Sequence, residues 1–268
     1  PQNKKTMKKD TSICFSITSC KRLDLFQRTV NSFMNACMDA SLISEWICVD
    51  DNSSKEDREE MIRLYPFFNF VFKGEDQKGH AKSMNIIRER AVLKHDYLFH
   101  IEDDWSFIQR KPLISPALEI LDEAENYKQV VVNRNYAEEA TVEFLKLAGG
   151  FKKRTKNNQR YVAHEYYPKG SEEESDFYKR NPGARSSCYW PHFSLNPSLI
   201  DVSMFSTVGE FDETARHFEM EFSHRYAKLG YETCFFDDIY CSHIGKKNRE
   251  RGDEVLKNAY ELNDTTQF

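Results

Sequence analysis

Residues 97–105 read Tyr97-Leu98-Phe99-His100-Ile101-Glu102-Asp103-Asp104-Trp105. An apolar run of β-forming residues ends abruptly in three consecutive carboxylates. A strand that enters a core and presents three acids at its tip creates an electrostatic problem. Adjacent carboxylates repel, and the arrangement is costly unless a cation sits beside them. Oxygen ligands on a short rigid tip suit Mg²⁺ or Mn²⁺, which take one or two carboxylates together with a substrate's phosphates. The competing reading of the same residues is a polar loop after a strand, where acids are common.

Outward from this stretch the same alternation of strand and helix repeats. Ser12 to Thr18 alternates and is rich in β-formers. A helix is expected from Leu23 to Met38, with Leu25, Phe26, Thr29, Val30, Phe33 and Cys37 at helical spacing. Trp46 to Val49 is a short buried strand ending in Asp50-Asp51-Asn52-Ser53-Ser54. Asn52 or Ser53 then caps a helix from Lys55 to Leu64. Phe68 to Phe72 is a third strand, Gly79 to Lys94 a helix, and Tyr97 to Ile101 a fourth strand. This order indicates an α/β fold with a mostly parallel central sheet flanked by helices. Beyond Trp105 the spacing predicts a helix over Pro112–Tyr127 and a strand over Gln129–Asn133. Tyr136 to Arg185 is polar, with runs such as Lys152-Lys153-Arg154 and Glu172-Glu173-Glu174, and reads as an excursion of loops and short elements within one domain. Apolar residues return at Tyr189–Phe205. A helix over Phe218–Leu229, a last strand at Thr233–Phe236 leading to Ile239-Tyr240-Cys241-Ser242-His243, and a tail helix over Glu254–Leu262 complete the chain.

The bulk numbers exclude several classes. A net charge of −5 and a pI near 6.0 argue against a nucleic-acid binder that works by neutralising phosphates. The seven cysteines stand singly, at 14, 20, 37, 48, 188, 234 and 241, with no CxxC pair to hold zinc. Their odd number and lack of a framework favour reduced thiols and a cytoplasmic setting. No stretch approaches the roughly 20 apolar residues of a membrane span. Pro1 to Asp10 is basic and polar, lacks the apolar centre of a signal peptide, and reads as a disordered arm.

In open α/β sheets ligands bind beyond the carboxyl ends of the strands. Those ends carry Thr18, Ser19 and Arg22 after the first strand, and Asp50 and Asp51 after the second. Glu102, Asp103 and Asp104 follow the fourth strand, and His243 the last. Asp50 or Asp51 can accept hydrogen bonds from a base N–H or from ribose hydroxyls. Arg22 can pair with a phosphate. The carboxylates with a metal can neutralise a diphosphate, and a neutral His243 imidazole can complete the coordination shell. Taken singly, Asp50-Asp51-Asn52-Ser53 is equally a turn and helix cap, and His243 a polar surface residue. Their convergence on one rim favours a site. No GxGxxG follows the first strand, so dinucleotide binding of the Rossmann type is not supported.

On these residues the chain resembles a nucleotide-sugar glycosyltransferase of the GT-A fold, in the style of glycosyltransferase family 2. Ile13 to Arg22 resembles the family's first strand and nucleotide-contacting turn. Val49-Asp50-Asp51-Asn52-Ser53-Ser54 resembles its V-D-D-x-S-x segment, whose acids contact base and ribose. Gly79-His80-Ala81-Lys82-Ser83-Met84-Asn85 resembles the helix start near the donor, which implies donor contacts for Lys82 and Asn85. Glu102-Asp103-Asp104 stands in the place of the D-x-D motif. The resemblance implies Asp104 as the principal metal ligand, Glu102 and Asp103 on donor or metal, and His243 completing the site around Mn²⁺ or Mg²⁺. It divides the chain into a nucleotide-sugar-binding half over 11–135, an acceptor-binding half over 136–245, and a tail at 246–268.

The resemblance further implies transfer from a nucleoside-diphosphate sugar, with uridine as the default base, to a hydroxyl of a glycan or other acceptor, with inversion. One departure stands out: Met220 occupies the place where the family often has its catalytic Asp. Glu219 or Glu221 is then the base, with His164-Glu165 as an alternative elsewhere. Glu219 and Glu221 are two apart and cannot share a helix face. Glu221 is four residues from Arg225, a spacing that suits an ion pair, which favours Glu219. Trp105 is expected to close over the donor, and Trp190 and His192 to line the acceptor site. Two other classes remain open. A non-catalytic nucleotide-sugar-binding module fits the loss of the Asp. A sugar nucleotidyltransferase fits less well, because Ser19-Cys20-Lys21-Arg22-Leu23 has no glycine for a phosphate loop. A glycoside hydrolase built on two carboxylates ranks last.

Overall fold

The computed structural model describes residues 11–136, 150–182, 190–245 and 257–264. The 1–10 arm, Cys188 and the beginning of the tail helix expected from Glu254 lie outside these residues. The first half is a βαβ series. β1 (Ile13–Ser19), β2 (Glu45–Asp50), β3 (Asn69–Phe72) and β4 (Tyr97–Glu102) are joined through α1 (Leu23–Ala36), α2 (Lys55–Leu64) and α3 (His80–Lys94). β1 pairs in parallel with β2 and with β4, and β2 with β3. Because β2 and β3 lie on one side of β1 and β4 on the other, the winding reverses at β1. A crevice therefore opens beyond the carboxyl ends of β1 and β4.

The second half comprises β5 (Trp105–Phe107), α4 (Ile114–Leu121), β6 (Tyr127–Val131), β7 (Phe151–Arg154), β8 (Arg160–Ala163), α5 (Glu172–Arg180), β9 (Ser198–Asp201), α6 (Phe205–Val208), α7 (Phe218–Lys228), β10 (Glu232–Phe236), β11 (Cys241–His243) and α8 (Ala259–Leu262). Nine strands form one sheet in the order β3-β2-β1-β4-β9-β6-β10-β8-β7. β9 is inserted antiparallel between β4 and β6, while β6 and β10 run parallel. The polar excursion, expected to hold only loops and short elements, supplies the antiparallel hairpin β7–β8, which extends the sheet beyond β10. β5 and β11 stand apart as a two-stranded antiparallel ribbon, His243 opposite Trp105 and Cys241 opposite Phe107.

Strand alternation divides the core between the two faces of the sheet. Ile13, Phe15 and Ile17 of β1, with Phe99 and Ile101 of β4, pack beneath α1, α2 and α4. Phe15 lies 4.7 Å from Phe33 of α1 and stacks on Phe99 at 6.1 Å, centroid to centroid. Cys14 and Leu98, pointing the other way, pack with Met84 and Ile87 of α3 and with Phe218 and Phe222 of α7. His100 is buried on β4 beside Ser16, whose Oγ lies 2.9 Å from its Nδ1, and burial pushes the imidazole down to about 3. The six described cysteines are free and buried. Among the described residues no helix is long and apolar enough to cross a membrane.

The helix expected over 112–127 begins at Ile114 and ends at Leu121. Its start is set from outside the segment. Asp39, in the turn after α1, accepts hydrogen bonds from the backbone N–H groups of Leu113 at 2.9 Å and Ser115 at 2.7 Å, and from Ser115 Oγ at 2.7 Å. A carboxylate placed on the open N–H groups of a helix start satisfies them and favours the helix dipole. Burial raises the Asp39 carboxyl, but these hydrogen bonds outweigh it, and the net shift is downward. Its folded pKa therefore lies below the unfolded value of roughly 3.9. The stabilisation is present above that value and is lost as pH falls through the folded pKa. Asp39→Ala should cost about 1–2 kcal/mol, read as a shift in the urea midpoint at pH 7. The difference from the parent chain should shrink as the pH is lowered below about 4.

Candidate active site

Strand register sets the first row of the rim: Ser19 lies opposite Asp50, and Thr18 opposite Glu102. The turn after β1 places Lys21 at φ 53°, and the turn after β2 places Asn52 at φ 67°. Arg22 then lies against the tip of β4. Its guanidinium pairs with Asp103 through one nitrogen and with Asp104 Oδ2 through the other at 3.0 Å, all three side chains being buried. Asp103 also accepts from the Cys20 backbone N–H at 3.1 Å, and its carbonyl accepts from Thr29 Oγ1 at 2.8 Å. The turn and the acidic tip are thus tied into one unit.

His243 arrives through the β11–β5 ribbon. Its Nε2 lies 3.4 Å from Asp104 Oδ2, and the Ile244 N–H donates to the Asp104 carbonyl at 2.8 Å. Burial works against the charge on Asp104, yet Arg22 and His243 outweigh it and hold the carboxyl well below its usual range. Asp104 Oδ1 is buried without a hydrogen-bond partner, as is the Ser19 hydroxyl. A buried carboxylate oxygen without a partner is costly, and a carboxylate beside an imidazole is a donor set that suits Mn²⁺. Asp104 and His243 therefore fit a divalent cation. Glu102, expected as a third ligand, is instead apposed to His80, with Oε1 3.6 Å from Nε2. Among the described residues no three His, Cys, Asp or Glu side chains are gathered closely enough to hold a metal by themselves. Burial, with the charges of Asp104 and Glu219, raises the Glu102 carboxyl well above its usual value.

The two acids after β2 have different surroundings. Asp50 is buried and pairs with Arg58 Nε at 2.7 Å, while Ser53 donates to it from both hydroxyl and backbone. It braces the turn from behind. Asp51 faces the crevice, where Oδ2 accepts from the Gly79 N–H at 3.0 Å and Oδ1 lies 3.2 Å from Lys73 Nζ. Lys73, a buried lysine that also donates to the Gly79 carbonyl at 2.7 Å, joins Asp51 to the start of α3. Neither Lys73 nor Arg58 was legible as a site residue. Each depends on strand neighbours that only the sheet brings together.

On the far side of the crevice, α7 separates its two glutamates as the helix period requires. Glu221 forms a two-pronged pair with Arg225, at 2.6 and 2.7 Å. Glu219 lies on another face of the helix, and its charge acts on Glu102 and on Tyr260. Its Oε1 accepts from the Leu195 N–H at 2.8 Å and from Ser194 Oγ at 3.2 Å.

Several expected contacts are not where the sequence reading put them. Asn85 clasps Phe211, donating to its carbonyl and accepting from its N–H at 2.9 and 2.8 Å, and Lys82 pairs with Glu213 at 3.5 Å. Both hold the 209–213 loop and do not reach into the crevice. Trp105 is only 1% exposed and stands edge-on behind His243 at 5.3 Å, so it supports the histidine and does not cover a ligand. Trp190 donates its indole N–H to the Phe193 carbonyl at 2.6 Å. His192 is 8% exposed and accepts from the Thr233 N–H. These two pack inward with His164 and Tyr136. His164 and Glu165 are buried too. Burial pushes His164 down to about 4, and Glu165 is bound by Arg180 and Tyr167.

No family model matches the sequence, and comparison with curated proteins gives no significant match. Solved structures do match. GalNAc-T7 with UDP, GalNAc and Mn²⁺ aligns with a TM-score of 0.57 at 13% identity, over 89% of this chain and 45% of that one. The mannosyltransferase PcManGT from Pyrobaculum calidifontis, in complex with GDP-Man and Mn²⁺, aligns with a TM-score of 0.56 at 14% identity, over 90% and 58%. S. aureus TarS 1-349 aligns with a TM-score of 0.57 at 12% identity, over 87% and 60%. The chain thus spans between 45% and 60% of the length of these structures. The likeness shows the fold: GT-A, the nucleotide-sugar glycosyltransferase fold.

Gly245 packs directly against Asp104. A Cβ there would meet Asp104 Oδ2 at 2.5 Å and its Cβ at 2.8 Å. Gly245→Ala should push the carboxylate away from His243 while leaving the sheet intact. Mn²⁺ binding, followed by the loss of the free-ion EPR signal, should weaken by about tenfold or more, with an unchanged circular dichroism spectrum.

Proposed function

We propose that the chain is a metal-dependent glycosyltransferase that moves a sugar from a nucleoside-diphosphate donor, with UDP as the default, to a hydroxyl of a glycan or similar acceptor. One observation carries this reading. Asp104 and His243, from distant parts of the sequence, meet at 3.4 Å where the winding of the sheet reverses, beside a buried carboxylate oxygen without a partner. Solved structures of the same fold hold Mn²⁺ with UDP or with GDP-Man.

In this reading Asp51, with Thr18 and Ser19, receives the nucleoside, and Asp50 braces the turn that presents Asp51. Asp104 and His243 would hold the cation, with Glu102 on the diphosphate side and Asp103 behind, tied to Arg22 and the Cys20 N–H. When held there, the cation would supply Lewis-acid stabilisation for the negative charge that develops on the leaving diphosphate. Arg22 holds Asp104 ionised and fixes both carboxylates in place, although burial still raises Asp103 to about 6, so the pair need not reorganise as charge moves. Glu219 takes the proton of the acceptor hydroxyl in an in-line displacement, with inversion at the sugar carbon. Its position on the crevice side of α7, opposite the face of Glu221, supports this assignment. Met220 favours a second reading, a binding module that keeps the nucleotide and performs no transfer.

Two substitutions test the reading. Asp104→Ala should reduce Mn²⁺-dependent release of nucleoside diphosphate by roughly 10²–10³-fold; full turnover in that variant would refute the metal assignment. Glu219→Gln should lower transfer by about 10²–10⁴-fold while leaving donor affinity unchanged, as separate calorimetric and turnover measurements would show. If Glu221→Gln has that effect instead, the base lies on the other face of α7. If the parent chain turns over no donor yet still binds one, the binding-module reading stands.

A further inference from the structure

The crevice already contains part of the chain. Residues 257–264 lie across its mouth as a single helical turn, α8, closed by a reciprocal cap: the Glu261 N–H donates to Asn258 Oδ1 at 2.9 Å, and the Asn258 N–H to Glu261 Oε2 at 2.8 Å. Four contacts fasten the turn to the rim. Asn263 Nδ2 donates to Asp51 Oδ2 at 2.9 Å, and Lys21 Nζ donates to the Leu262 carbonyl at 2.9 Å. The Tyr260 hydroxyl lies 3.3 Å from His80 Nδ1, and Cys20 Sγ 3.6 Å from the Ala259 carbonyl. Burial, with the charges of Glu102, Glu219 and Asp104, raises the Tyr260 phenol well above its ordinary value.

We propose that this segment is an autoinhibitory strap that occupies the donor's place and must leave before a nucleotide sugar binds. The inference rests on the donor reading above. Its chemical content lies in the pairing at Asp51. The oxygen expected to accept a base or ribose donor group instead accepts the N–H of a carboxamide. The carboxamide of Asn263 presents an N–H next to a C=O, as does the edge of uracil or guanine. Asn263 and Asp51 are both buried in this pairing, so strap and nucleoside cannot use Asp51 together. Tyr260 reaches His80, whose other ring nitrogen faces Glu102 at the acidic tip of β4, so the strap also covers the side of the crevice toward that tip. The apparent affinity for donor is then the intrinsic affinity reduced by the fraction of molecules whose strap is out.

A substitution that weakens the strap should therefore strengthen donor binding, the opposite of what loss of a donor contact does. Calorimetric titration of the full chain with UDP and with GDP, each with Mn²⁺, compares the parent with Asn263→Ala and Asn263→Asp. Asn263→Ala removes a hydrogen bond to a charged acceptor and should bind nucleotide roughly tenfold more tightly. Asn263→Asp places a like charge against Asp51 and should do so at least as strongly. Hydrogen exchange on the parent chain should show the amides of 257–264 losing protection when nucleotide binds. Equal or weaker binding by both variants, or protection that rises on binding, overturns the strap, since the segment is then a clamp that closes on the donor. In that outcome nucleotide still binds, and the donor reading survives. Absence of UDP and GDP binding in parent and variants alike removes the donor reading, and the strap with it.

Discussion

The arrangement depends on a single buried guanidinium. Asp103 and Asp104 are adjacent in sequence, both buried, and both at the tip of a central strand. Two such charges together cost several kcal/mol in a protein interior unless a counter-charge is within contact. Arg22 is that counter-charge, one nitrogen to each carboxylate. It comes from the turn after β1, so the pairing also fixes how β1 leads into α1 and where the Cys20 N–H points. Each group answers a different need: Asp103 ties turn to strand, Arg22 balances the pair, and Asp104 retains one buried oxygen without a hydrogen-bond partner. The site and the junction of the first two elements are one construction.

A second layer surrounds this centre and acts through position. Thr29 of α1 donates to the Asp103 carbonyl and accepts from the Trp105 N–H, so one hydroxyl holds both ends of the acidic tip. Trp105 then backs His243. Lys73 and the Gly79 backbone hold Asp51 from below, while Asn85 anchors the 209–213 loop that leads into α7. These side chains, Asn85 among them although it looks like a ligand contact in sequence, thus serve as braces within the fold. In the proposed reading they set how far the rim can give when a donor enters.

Much of the rim was legible because it depends on local grammar. A strand ending in acids, a helix period from Leu23 to Met38, and the spacing of Glu221 and Arg225 are each written within a few residues. What was not legible depends on partners far away. β9 is four residues long, too short to show a period, and is a strand only because β4 and β6 flank it. β7 reads Phe151-Lys152-Lys153-Arg154 and is exposed throughout, so no alternation betrays it. Trp105, Trp190 and His192 carry the aromatic and imidazole groups that sugar sites use, but composition does not reveal which way a ring turns. Gly245 offers no signal at all in sequence, since its importance is the space it leaves beside Asp104.

The ribbon of β5 and β11 has a consequence for the order in which the molecule assembles. It lies outside the main sheet and joins two segments separated by most of the second half of the chain. Closing so long a loop costs entropy that is recovered only after the intervening elements are in place. The β1–β4 core, whose contacts are nearer in sequence, needs no such wait, and Arg22 neutralises its acids from within that core. A chain still emerging from the ribosome can therefore bury Asp103 and Asp104 safely before His243 has been made. In the proposed reading, the cation site is completed only when β11 docks, which spares the nascent chain a period as an exposed, half-built metal trap.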